Sequence, residues 1–205
     1  MFIALEGIDG SGKTSQIPSL VKFLRERGHE VSSVREPGIT PIGELVRSTI
    51  FDPKNADLHL RTVTLLYQAA RAQLVEQVIR PRLAKSEIVI SDRYADSTIA
   101  YQGYGHQQDL TEIRALVKYA TGGLVPDLSV LFDINVEEGV GRKAKSKDWN
   151  QLDGHSIDFY RRVRAGYLEM VKQEPSRWRV VDASRGWQSV QDELRRVISS
   201  RLPDV

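Results

Sequence analysis

Short apolar runs alternate along this chain with longer stretches of helical period. Five runs read as strands: Phe2–Glu6, Glu30–Arg35, Glu87–Asp92, Leu128–Ile134 and Arg179–Asp182. Between them, apolar residues recur every three or four positions, as on the buried face of an α-helix. Leu66, Ala70, Leu74 and Val78 form one such stripe, Phe159, Val163, Gly166 and Met170 a second, and Val190, Leu194 and Val197 a third. Pro81 ends or kinks the first. Strands alternating with helices require right-handed crossovers, which gives an α/β fold: a parallel sheet with helices on both faces. Ligands of such sheets bind beyond the carboxyl ends of the strands. The residues standing there are Glu6-Gly7, Arg35-Glu36-Pro37, Asp92-Arg93 and Asp182.

Composition narrows the picture. A chain of 205 residues, 40% hydrophobic and 27% charged, reads as one globular domain over residues 1–205. A net charge of +2 is too small to argue for a nucleic-acid partner. The absence of cysteine excludes disulfides, thiolate metal sites and cysteine nucleophiles. Glu6 interrupts the apolar start at once, and no window approaches the length of a membrane span. A cytoplasmic protein without membrane contact is therefore expected.

Gly7-Ile8-Asp9-Gly10-Ser11-Gly12-Lys13-Thr14 fits G-x-x-x-x-G-K-[ST] between a strand and a helical pattern. Its glycines let backbone N–H groups face phosphate oxygens. Lys13 then reaches the β and γ phosphates, and the Thr14 hydroxyl ligates Mg²⁺. This is the phosphate loop of a P-loop NTPase fold that uses ATP. Pro18, early in the following helix, forgoes a hydrogen bond to the Thr14 carbonyl.

Ile88-Val89-Ile90-Ser91-Asp92 is a buried-strand pattern ending in a carboxylate, which places Asp92 near Mg²⁺. Arg93 next to it has the planar fork that grips phosphate. Arg35 and Glu36 close the second strand, and Pro37-Gly38 is turn chemistry. Such a second set of charges surrounds a phosphate acceptor as well as a donor.

Five segments in order carry a resemblance over nearly the whole chain. They are Glu6–Thr14, Arg35–Glu44, Leu65–Gln73, the Asp92-Arg-Tyr-Ala-Asp-Ser-Thr-Ile-Ala-Tyr-Gln-Gly103 stretch, and Phe159–Tyr167. The sequence resembles the bacterial branch of the thymidylate kinases. The resemblance implies phosphorylation of dTMP by Mg-ATP, a homodimer, and a role for each matching residue. Asp9 is expected at the sugar 3′-hydroxyl and the metal site. Tyr67 stacks on thymine and Arg71 hydrogen-bonds the base, whereas the bare sequence favours ordinary packing for Tyr67. Arg93 and Arg47 hold the acceptor phosphate near Glu36 and Pro37. Ser97, Thr98 and Gln102 line the pyrimidine pocket, and Tyr101 blocks the ribose 2′ position.

The basic run Arg142-Lys143-Ala144-Lys145-Ser146-Lys147 falls in the family's mobile lid, here about residues 141–154. The resemblance places Arg142 near the adenine, with Asp182 also at the ATP end. Gly10 occupies the position where other members carry a loop arginine, so the lid must supply the catalytic cation. The lid's usual Asp-Arg-x-Glu is replaced by Asn150-Gln151-Leu152-Asp153, which leaves Lys143, Lys145 or Lys147 to substitute. Lys145 joins Lys13, Arg93, Asp9 and Arg142 in the expected catalytic set. Ile39 stands where the family has glycine. Three other readings stay open: a kinase for another nucleotide, a weakened enzyme with an altered lid, and a nucleotide-dependent switch.

Overall fold

The computed structural model describes residues 1–145 and 154–202. Five parallel strands form one sheet in the order β2-β3-β1-β4-β5. They are β1 Phe2–Glu6, β2 Val31–Arg35, β3 Ile88–Asp92, β4 Leu128–Asp133 and β5 Trp178–Asp182. Each lies within a residue or two of its expected run. β1 is buried throughout and sits at the centre of the sheet. The loop that leaves it therefore opens at the middle of the carboxyl edge.

Helix α1 (Lys13–Arg25) follows that loop and packs with α9 (Trp187–Ser199). Pro18 lies on the exposed side of α1, where water can take the freed Thr14 carbonyl. The other helices are α2 (Pro41–Phe51), α3 (Leu60–Leu74), α4 (Arg80–Ala84), α5 (Ala95–Thr98), α6 (Leu110–Ala120), α7 (Val136–Ala144) and α8 (Ile157–Gln173). All four residues of the Phe159 stripe are buried in α8. In α9, Ile198 rather than Val197 completes the buried stripe.

The first stripe breaks for a physical reason. A π-helical segment, Val75–Ile79, joins α3 to α4 and inserts an extra residue per turn. The buried register consequently passes from Leu74 to Val75 and Ile79, and Val78 is only partly covered. Pro81 lies just beyond, so the helix is deformed rather than ended there. A second π-helical segment, Ile99–Gly105, continues α5 and carries Tyr101 and Gln102.

Ile39 follows the cis Glu36–Pro37 turn and adopts φ 71, a conformation that suits glycine and costs a β-branched residue. Its N–H donates to Glu44 Oε1 at 2.7 Å, and its side chain is exposed. Ile39→Gly should stabilise the fold by about 1 kcal/mol, raising Tm by roughly 2–4 °C. A thermal melt in which the variant matched or fell below the parent would show that the turn is not strained. Among the described residues, no helix is long and apolar enough to cross a membrane.

Candidate active site

The turn after β1 is a left-handed glycine loop, with φ 144 at Gly7, 77 at Gly10 and 85 at Gly12. Lys13 begins α1 and is buried, and its Nζ donates to the Gly7 and Ile8 carbonyls at 3.2 Å each. Burial, with Arg93 beside it, brings the Lys13 ammonium down to about 8. A side chain at Gly10 would fall onto the Gly139 carbonyl of α7, and a Cβ at Gly139 would meet Ile8 Cδ1 at 2.8 Å. The loop and α7 touch backbone to backbone, which leaves no room for an arginine at position 10.

The end of β3 faces this loop. Thr14 Oγ1 donates to Asp92 Oδ2 at 2.5 Å, bringing together two of the residues expected at a metal. Asp9 has both oxygens engaged, Oδ1 by Arg93 Nη2 at 2.6 Å and Oδ2 by the Tyr101 hydroxyl at 2.7 Å. Arg93 also donates to Tyr101 Oη at 3.0 Å and to the Gly7 carbonyl at 2.9 Å. Burial alone would raise the Asp9 carboxyl, but Arg93 and Lys13 outweigh it and hold it at about 2. Arg93 itself lies at φ 68, in the left-handed region. Two cations thus stand side by side among the Asp9 and Asp92 carboxylates, an arrangement suited to receive phosphate on the cations and a metal on the carboxylate side.

The walls on the other side come from β2, α3 and α5. Arg71 is buried and donates to Glu36 Oε2 at 2.6 Å, Gln68 Oε1 at 2.9 Å, Thr98 Oγ1 at 2.8 Å and the Tyr94 carbonyl at 3.0 Å. Those bonds use four of the five N–H donors of a guanidinium, leaving one Nη2 hydrogen among the described residues. Glu36 Oε1 is buried with no partner there. Burial raises the Glu36 carboxyl against the pull of Arg71. Tyr67 packs against the small buried cluster of Val46, Ile50 and Ala70 and also lines the cleft, where burial pushes its hydroxyl up to about 12. Arg47 lies over the Phe51 ring at 4.8 Å and, with Pro37, Ser97, Thr98 and Gln102, also faces the cleft.

A single cleft of about 1140 Å³ joins these groups to the far end of the loop. There Arg142 donates to the Ala183 carbonyl at 2.9 Å and to Glu138 at 2.6 Å. Trp187 adds an indole whose Nε1 donates to Ser15 Oγ at 3.2 Å. Asp182 shapes the turn between them by accepting the Ser184 N–H and hydroxyl at 3.0 and 2.6 Å, and stays outside the cleft wall. Lys145 caps α7, exposed and away from the wall, whereas Lys143 lines it. Lys147 and Asn150-Gln151-Leu152-Asp153 lie outside the described residues.

Sequence reasoning assigned no role to Glu6, Tyr167, His106, His155 or Trp187. A signal existed for Glu6, the lone charge closing an otherwise apolar strand. Burial and the nearby Asp96 push its carboxyl up to about 7, against Ser97, Arg93 and Tyr167. A carboxyl raised in the fold contributes stability below its ordinary pKa near 4.5, and that contribution is lost as pH rises through about 7. Glu6→Gln should therefore match the parent's Tm at about pH 5 and exceed it at about pH 8. Paired melts showing a constant gap would refute this coupling.

Comparisons with known proteins agree on one family. The family profile described as Thymidylate kinase matches residues 5–194. A thymidylate kinase of Roseiflexus castenholzii is 40% identical over 218 residues, covering 100% of this chain and 95% of that protein. One from Deinococcus radiodurans is 42% identical over 201 residues, covering 98% and 97%. The crystal structure of thymidylate kinase from Ehrlichia chaffeensis superposes with a TM-score of 0.78 at 34% identity, covering 97% of this chain and 98% of that one.

Proposed function

The chain belongs to the thymidylate kinase family and phosphorylates dTMP with ATP; we propose that the transfer is direct and in line, from the γ-phosphoryl group to the 5′-phosphate oxygen. The acceptor oxygen is already a competent nucleophile, so positioning and charge neutralisation suffice without a covalent enzyme intermediate. One observation carries this reading. The Lys13 loop with its Thr14–Asp92 pair, and the Asp9–Arg93–Tyr101 cluster, open into the same cleft.

In this reading the loop N–H groups and Lys13 hold the donor phosphates, and Arg142 and Trp187 flank the adenine. Arg93 and Arg47 hold the acceptor phosphate, Tyr67 lies against the thymine, and the remaining Arg71 donor meets a base carbonyl. Tyr101, held by Asp9, closes off the ribose 2′ position. We assign the transferring charge to Lys143 in place of Lys145, because Lys143 lines the cleft. We read residues 1–205 as one catalytic domain with its lid at about 141–154, working in the cytoplasm.

The Thr14 hydroxyl and the Asp92 carboxylate, 2.5 Å apart, are hard oxygen donors of the kind Mg²⁺ takes while drawing its other ligands from phosphates and water. They fit the ion, and Asp9 is better assigned to the acceptor side. Bound there, Mg²⁺ would neutralise phosphate charge. Asp92→Asn should raise the half-saturating Mg²⁺ concentration by about 10-fold or more at fixed ATP. An unchanged Mg²⁺ titration would remove Asp92 from the metal site.

We also propose a homodimer, for which the exposed apolar side chains Leu45, Leu65 and Tyr119 on α2, α3 and α6 are the support. A single-chain mass by light scattering would count against it.

A further inference from the structure

We propose that Glu6 is a positioning residue for Arg93, acting through the hydroxyls of Ser97 and Tyr167 and through the backbone of the turn that carries the guanidinium. This rests on the reading of Arg93 as a ligand of the acceptor phosphate.

The geometry has two parts. Glu6 is fully buried at the end of β1, and its Oε1 accepts the Tyr94 N–H at 2.8 Å. Tyr94 directly follows Arg93, whose left-handed backbone needs holding. The Arg93 N–H donates to the Leu5 carbonyl at 3.0 Å, and the Ser91 hydroxyl donates to the Arg93 carbonyl at 2.5 Å. β1 thus grips the turn on both sides of Arg93, by the backbone of Leu5 and the side chain of Glu6.

The second part concerns the direction of hydrogens. Glu6 Oε2 accepts the Ser97 hydroxyl at 2.6 Å and the Tyr167 hydroxyl at 2.8 Å. Both oxygens in turn accept from Arg93 Nη1, at 3.2 Å and 3.5 Å. A hydroxyl hydrogen rotates to suit its neighbours. An acceptor-only carboxylate draws both hydrogens toward itself and leaves lone pairs facing the guanidinium. A glutamine amide has the same shape but turns an NH₂ toward those hydroxyls once its oxygen takes the Tyr94 N–H. Their lone pairs are then claimed by the amide, and Arg93 loses its support from below.

A buried carboxylate is an expensive way to fill this space, since burying a charge costs free energy that a neutral group of the same shape does not. The position serves the fold poorly and the guanidinium well. That separates a positioning role from a merely structural one: the neutral isostere should keep the fold and lose the placement.

The test compares Glu6→Gln, Arg93→Lys and the double variant by steady-state kinetics and thermal melts at one pH near 8. Glu6→Gln should keep or raise Tm, leave KM for ATP within about 2-fold, and lower kcat/KM for dTMP by about 10- to 100-fold, mostly through KM. The double variant should be little worse than Arg93→Lys alone, because both changes disturb one unit. Unchanged dTMP kinetics in Glu6→Gln beside an impaired Arg93→Lys would overturn the proposal alone. Losses that multiply in the double variant, or that follow a fall in Tm, would overturn it too. An Arg93→Lys variant with normal dTMP kinetics would instead bring down the underlying reading of Arg93. Should Glu6→Gln not fold, Ser97→Ala and Tyr167→Phe each remove one relay and should raise KM for dTMP by about 3- to 10-fold. Normal KM in both would sink the inference.

Discussion

Replacing Lys13 by alanine removes about three orders of magnitude from kcat while leaving the fold intact. The ammonium is buried in the phosphate loop, where it donates to the Gly7 and Ile8 carbonyls. The Ile8 carbonyl also accepts the Ser11 N–H at 3.3 Å and the Gly7 carbonyl accepts Arg93 Nη1 at 2.9 Å, so the side chain can leave both for phosphate oxygens without unfolding the loop. Positive charge preorganised where negative charge is redistributed is worth about 4 kcal/mol in the transition state, which is the stated loss. Stability should hardly change, because burial already disfavours the ammonium and lowers it to about 8. Steady-state turnover and a thermal melt of the same preparation check both halves. Turnover within 10-fold of the parent would place the catalytic charge elsewhere, in the lid or on Arg93.

Replacing Arg93 by alanine costs a further kind of binding. Its guanidinium joins Asp9, Tyr101 and the Gly7 carbonyl, and it faces the cleft beside Lys13. Truncation removes a bidentate phosphate partner and leaves the half-buried Asp9 carboxylate with the Tyr101 hydroxyl but without its cation. Loss of the charged contact to the acceptor phosphate costs about 3–4 kcal/mol, or about 10²- to 10³-fold in kcat/KM for dTMP. KM for ATP should move far less. Added guanidinium should restore part of the dTMP-dependent rate. Equal damage to the ATP and dTMP parameters would mean that Arg93 organises the whole site rather than the acceptor.

Much of this is legible in the sequence. The three central strands β3, β1 and β4 are buried along almost their whole length because buried parallel strands need near-continuous apolar stretches, whereas the edge strands β2 and β5 expose residues such as Ser33 and Val180. The loop from Gly7 to Thr14 and the carboxylate of Asp92 were legible for the same local reason: each lies within a few residues of its strand. What period alone misses is a change of helix type, and Val75–Ile79 moves the buried face by one position for that reason.

Contacts across long sequence separations were less accessible. Asp9 and Tyr101 meet although 92 residues apart, and that bond ties the expected sugar residue to the expected 2′ block. Asp182 appeared in the right place at a strand end, but its short side chain turns back onto Ser184. Lys143 and Lys145 could not be told apart in a basic run; the turn of α7 puts only the first in the cleft wall. The resemblance expects glycine at Ile39, and the φ of 71 found there is one that glycine adopts without strain.

The central claim, a cleft that joins an ATP site to a deoxynucleotide monophosphate site, is tested most directly by ADP release in a coupled assay. Mg-ATP would be supplied alone and then with dTMP, UMP or thymidine. Strong stimulation by dTMP and little by the other two is expected, since UMP would meet Tyr101 with its 2′-hydroxyl and thymidine offers no phosphate to Arg93. Equal stimulation by UMP, or a slow ATP turnover that no acceptor changes, would contradict it.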